Sequence, residues 1–102
     1  MKELYTWVSQ QHHGLRTFKT LQQKLELLSR DEPEQGGLYR LLSNLVGGYI
    51  EAFEEEPLPV EVADRVHRRL LELLVSLDPE ANLDRRLADI NRVASFDLFH
   101  SQ

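Results

Sequence analysis

The sequence predicts an all-α fold: one four-helix, up-down bundle-like domain over residues 1–102, associating as a dimer. Three observations lead there. Apolar residues recur at three- and four-residue spacing along most of the chain. No stretch alternates with period two, and hairpin pairs such as Asn-Gly are absent. Breakers gather around Pro33–Gly37, Pro57–Pro59 and Pro79, which divides the periodic stretches into four.

The first predicted helix covers about 2–29. Leu4, Gln11, Phe18 and Leu25 are spaced by seven, as are Trp7, Gly14, Leu21 and Leu28. Together they make a narrow seam with Val8 and Leu15 beside it. Gly14 costs about 1 kcal/mol relative to Ala inside a helix, so a kink or a break is expected near His12-His13-Gly14, a kink first. The second helix covers about 38–55, with Leu38, Leu41, Leu42, Leu45, Val46, Tyr49, Ile50 and Phe53 spread over about half its circumference. The third covers about 59–77. Pro59 suits its first position and Glu61 its positive end. Val62, Val66, Leu70, Leu73, Leu74 and Leu77 share a face, which Leu71 and Val75 widen. The fourth covers about 79–95, with Asp78 as its expected N-cap and Pro79 as its first residue. Its stripe is narrow: Leu83, Leu87, Ile90 and Ala94, with Val93 at the edge.

Stripe width carries the functional expectation. A helix with neighbours on two sides needs a wide apolar face, and an outer helix a narrow one. The second and third helices therefore form a central antiparallel hairpin across Pro57-Leu58-Pro59, with the others packed around it. A chain of 102 residues offers two outer helices to cover two wide faces. Surplus apolar surface then implies self-association. The expected interface residues are Leu41, Ile50, Phe53, Leu71, Leu74 and Val75, with Trp7 and Phe99 as aromatic anchors. Small residues Ser43, Asn44, Gly47 and Gly48 line the opposite side of the second helix, where close packing or a contact groove is expected.

Composition narrows the partners. With no cysteine, disulfides and thiolate zinc sites are excluded, and a reducing cytoplasm is the expected location. A net charge of −5 argues against nucleic acid or an anionic membrane surface as partner. No apolar run is long enough to span a bilayer.

Catalytic patterns are sparse. No Gly-x-Ser-x-Gly occurs, and Gln35-Gly36-Gly37 lacks the Lys-Ser/Thr of a phosphate loop. His12, His13, His67 and His100 include no helical pair at i and i+4. Arg65, Arg68, Arg69, Arg85, Arg86 and Arg92 are interleaved with acids, which reads as a salt-bridged polar face. A nucleic-acid-binding regulator would need them as one continuous patch.

Glu51 and Glu54 share a face, as do Glu61 and Asp64. Pairs of this kind across a hairpin could hold Mg²⁺. Together with Val60-Glu61-Val62-Ala63-Asp64 and the leucine-rich stretch after it, they resemble the Glu-x-x-Glu and Glu-x-x-Asp motifs of the all-α nucleotide pyrophosphatases. The resemblance implies a divalent-metal-dependent enzyme with those four carboxylates on the metal. The chain departs from that pattern in reading Val46-Gly47-Gly48-Tyr49 where further carboxylates are expected, and in placing Glu54 and Glu61 close together at a Pro-rich turn. The expectation is therefore a non-catalytic helical interaction module without cofactor or metal, whose partner is a protein, a second copy first of all.

Overall fold

A computed structural model describes residues 1–99, and every described element is helical. There are five α-helices: α1 Lys2–Ser9, α2 Leu15–Asp31, α3 Gly36–Phe53, α4 Val60–Ser76 and α5 Leu83–Ser95. A single 3₁₀ turn, Pro33–Gln35, joins α2 to α3.

The long first helix is broken near His12-His13-Gly14, the second of the two outcomes expected there. Gly14 is extended (φ −78°, ψ 169°) and caps α2. Side-chain bonding holds the break open: the Gly14 N–H donates to His12 Nδ1 (3.1 Å), and the Thr17 hydroxyl donates to the His12 carbonyl (2.8 Å). These bonds compete with the helical ladder, and Gly14 leaves room for the His12 ring, whose Nδ1 would lie 3.0 Å from a Cβ at that position.

The start of the fourth predicted helix also moves. Asp78 does not cap it. Asn82 does, accepting the Arg85 N–H at 2.9 Å, so α5 begins at Leu83. Residues 78–81 form a turn closed from Ala81 N–H to the Asp78 carbonyl (3.2 Å), with the Asp78 side chain accepting the Glu80 N–H (3.2 Å). Asp and Asn are comparable caps. The choice falls to Asn82 because the Asp78 N–H is drawn to the buried carboxylate of Asp89 (2.8 Å).

One core cluster joins all five helices and the segment after α5. It contains Leu4 and Val8 of α1, Phe18, Leu21 and Leu25 of α2, and Leu42, Val46 and Tyr49 of α3. Val66, Leu70, Leu73 and Leu74 of α4, Val93 of α5 and Leu98 complete its centre. The closest backbone pairings are α2 with α3, α3 with α5 and α1 with α4. The central hairpin expected between α3 and α4 is therefore corrected: both feed the core, but the closest neighbour of α3 is α2. Gly47 explains the approach. A Cβ there would lie 2.6 Å from Gln22 Nε2, which reaches across to donate to the Ser43 carbonyl (3.2 Å).

The face of α5 differs from the expected stripe. Leu83 is 77% exposed and Leu87 59%, and Ala94 is also exposed. The inward side carries Asp89, fully buried, and Val93. Asp89 accepts from Asp78 N–H and from Arg85 Nε (3.1 Å), while Arg85 also donates to the Ser76 carbonyl (2.7 Å). This network ties α5 to the end of α4. Turning Asp89 outward would break those bonds and leave the Asp78 N–H without its partner.

Candidate functional site

The break between α1 and α2 places His13 beside α4. α1 lies antiparallel to α4, held by Leu4 and Val8. From α4, Ala63, Val66, His67 and Leu70 face inward. His67 is buried and donates from Nε2 to the Val8 carbonyl (3.0 Å) in the last turn of α1. His13 lies flat against it, ring centroids 3.8 Å apart and planes 18° from parallel. His13 Nδ1 in turn donates to Asp64 Oδ1 at 2.7 Å. Burial pushes the His67 imidazole below its ordinary 6.5, and neighbouring His13 pushes the same way. The Val8 carbonyl and Asp64 oppose them.

These groups line a groove of about 580 Å³ between α1 and α4. Tyr5, Leu71 and Val75 make its apolar wall, and Asp64, Arg68 and Glu72 its polar one. Val75 is 68% exposed. The arrangement orients one imidazole by a carboxylate and disfavours protonation of a second, beside the apolar side chains of Tyr5, Leu71 and Val75.

The predicted interface residues separate. Leu71 and Val75 meet in this groove. Ile50 and Leu74 are sealed in the core, so they cannot face a partner. Leu41 and Phe53 are half-buried against that core. Both aromatic anchors have intramolecular roles. Trp7 lies under the ammonium of Lys24, 4.8 Å from the ring centre, which fastens α1 to α2. Phe99 packs on Tyr49 and Phe53 of α3.

The acidic residues do not gather. Glu54 pairs with Lys19 at 3.7 Å, Asp64 with His13, and Glu51 and Glu61 are exposed. Among the described residues no three His, Asp or Glu side chains come close enough to hold a metal ion, so the four-carboxylate arrangement is not formed. The arginines are likewise dispersed as fasteners. Arg69 donates to the Asp97 carbonyl, Arg85 to Asp89 and Ser76, and Arg86 to the Glu34 carbonyl. His100 lies outside the described residues.

The His13–Asp64–His67 constellation escaped pairwise spacing rules because His13 lies some fifty residues before Asp64 and His67, which share α4. One signal was legible: His67 falls on the inward register of Ala63, Val66 and Leu70, so its imidazole had to be buried. Compared with family models, with curated proteins and with solved structures, the chain matches none.

Proposed function

We propose that this chain is a non-catalytic helical interaction module that self-associates, with the groove between α1 and α4 as its contact face. The observation that carries this reading is the exposure of Val75 at 68%, in line with half-buried Leu71 along that groove. A β-branched side chain left in water in the last turn of α4 gains free energy when a second apolar helix covers it. Leu83 and Leu87, one turn apart on the outer side of α5, add a second apolar strip. The reading places the module in a reducing cytoplasm, since the fold uses no cysteine. No helix of the described residues is long and apolar enough to cross a membrane.

Sedimentation equilibrium across a wide concentration range tests the proposal. The expected result is a reversible dimer that Val75→Glu converts to monomer while the helical signal is kept. A mass of 11.9 kDa at every concentration removes self-association. A dimer indifferent to Val75→Glu but broken by Leu83→Glu with Leu87→Glu moves the interface to α5.

A further inference from the structure

At the end of the molecule away from the histidines, the start of α1, the end of α2, the start of α3 and the turn before α5 enclose a cleft of about 450 Å³. That is within the usual size of small-molecule sites, roughly 300–1,000 Å³. Three segments send it carboxylates: Glu3 from α1, Glu32 from the end of α2, and Asp78 with Glu80 from the turn before α5. Lys2 is the one basic side chain on the lining. Leu4 and Leu28 supply apolar surface between the acids.

The second observation is Tyr39. Its side chain is 5% exposed, it lines the cleft, and its hydroxyl makes no hydrogen bond among the described residues. Burial first, and then the charges of Glu32, Glu3 and Glu80, push this hydroxyl's pKa above the ordinary tyrosine value. Those three acids thus act electrostatically on a hydroxyl of the cleft lining that has no hydrogen-bond partner among the described residues. The Gln35 carboxamide donates to the Pro79 carbonyl, which fixes the turn carrying Asp78 and Glu80 against the start of α3.

The acids are too dispersed for a single metal ion, since no three of them converge. A ligand that satisfies them must carry its positive charges apart, with apolar stretches between. We propose that this cleft binds a linear polyamine, its ammonium groups on Glu32, Glu80 and Glu3, its methylenes over Leu4 and Leu28, and one N–H donated to the Tyr39 hydroxyl. Each ammonium brings several donors and no acceptor, which matches a lining rich in acceptors.

Titration calorimetry with spermidine at low ionic strength tests this. Saturable one-to-one binding is expected, weakened about tenfold or more by Glu32→Gln with Glu80→Gln and several-fold by Tyr39→Phe. Glu54→Gln with Glu55→Gln, the same charge change outside the cleft, is expected to leave it intact. Butylamine and Mg²⁺ at matched ionic strength are expected to displace spermidine poorly. The proposal is overturned by absence of saturable binding, by equal weakening in the Glu54/Glu55 control, or by Mg²⁺ competing as well as spermidine. All four acids sit on the surface or half-buried, and the carboxamides are near-isosteric, so circular dichroism is expected to show all variants folded.

Discussion

The imidazole of His13 lies parallel to that of His67 at 3.8 Å, and its Nδ1 is held by Asp64. His67 carries the hydrogen bond that fixes the end of α1, because its Nε2 donates to the Val8 carbonyl. A proton added to this pair enters a buried site, and the consequence is a pH-dependent attachment of α1. The folded-state pKa of His67 lies below 6.5, chiefly through burial. The unfolded chain then binds that proton more readily, so stability is complete above pH 6.5 and is lost as pH falls from there through the folded pKa. Urea midpoints measured across the acid range are expected to decline below 6.5. Asp64→Asn removes a charge that supports protonated His67 and is expected to deepen the decline. A midpoint flat with pH in this range counts against the assignment.

The paired glycines in the middle of α3, Gly47 and Gly48, are expected to answer differently to substitution. Gly48 has open space where a Cβ would go, so Gly48→Ala is expected to stabilise by about 0.5–1 kcal/mol through helix propensity. At Gly47 the new methyl meets Gln22 Nε2 and displaces its bond to Ser43. Gly47→Ala is expected to gain nothing, and Gln22→Ala in the same chain to restore the gain. Thermal unfolding of the three variants reads the difference.

Asp89 is a buried carboxylate with two donors aimed at it. Asp89→Ala leaves the Asp78 N–H and Arg85 without their acceptor and is expected to cost about 2–3 kcal/mol in urea unfolding. Arg85→Ala is expected to cost less, because the Asp78 bond to Asp89 survives. Equal costs would mean the ion pair, not the backbone bond, governs the packing of α5.

Arg69 fastens the segment after α5. Its Nε (3.0 Å) and a terminal nitrogen (2.6 Å) both donate to the Asp97 carbonyl, and its guanidinium lies 4.6 Å from the centre of the Phe96 ring. Lysine cannot make this two-pronged contact. Arg69→Lys is therefore expected to behave nearly as Arg69→Ala, each raising amide exchange at residues 96–99 while helices α2 and α3 stay protected. Exchange unchanged in both variants would assign the hold to Leu98 and Phe99 alone.

Much of the architecture was legible in local pattern. The seam of Leu4, Phe18, Leu21 and Leu25 is buried, as are Val66, Leu70, Leu73 and Leu74. Within α2 and within α4, helical register places these residues on one side, and the cost of leaving them in water does the rest; Leu4 reaches the core on the separate helix α1. Leu71 and Val75 were expected at an edge of the third helix, and they line a groove there. Of the candidate site's centre, only the burial of His67 could be read in advance.

What the sequence determined by itself was helix identity, the interruption at Gly14 and most inward faces, because these depend on residues within a turn or two of one another. The tertiary structure alone decided where α5 begins and which way it faces, since Asn82 prevails over Asp78 only when Asp89 is placed to take the Asp78 N–H. It also decided that His13, Asp64 and His67 meet, and that Trp7 and Phe99 are occupied by Lys24, Tyr49 and Phe53. The physical reason is common to all of these. A hydrogen bond or ring contact between distant segments carries no periodic trace in the chain, and it exists only once packing of the apolar faces has fixed the backbones around it.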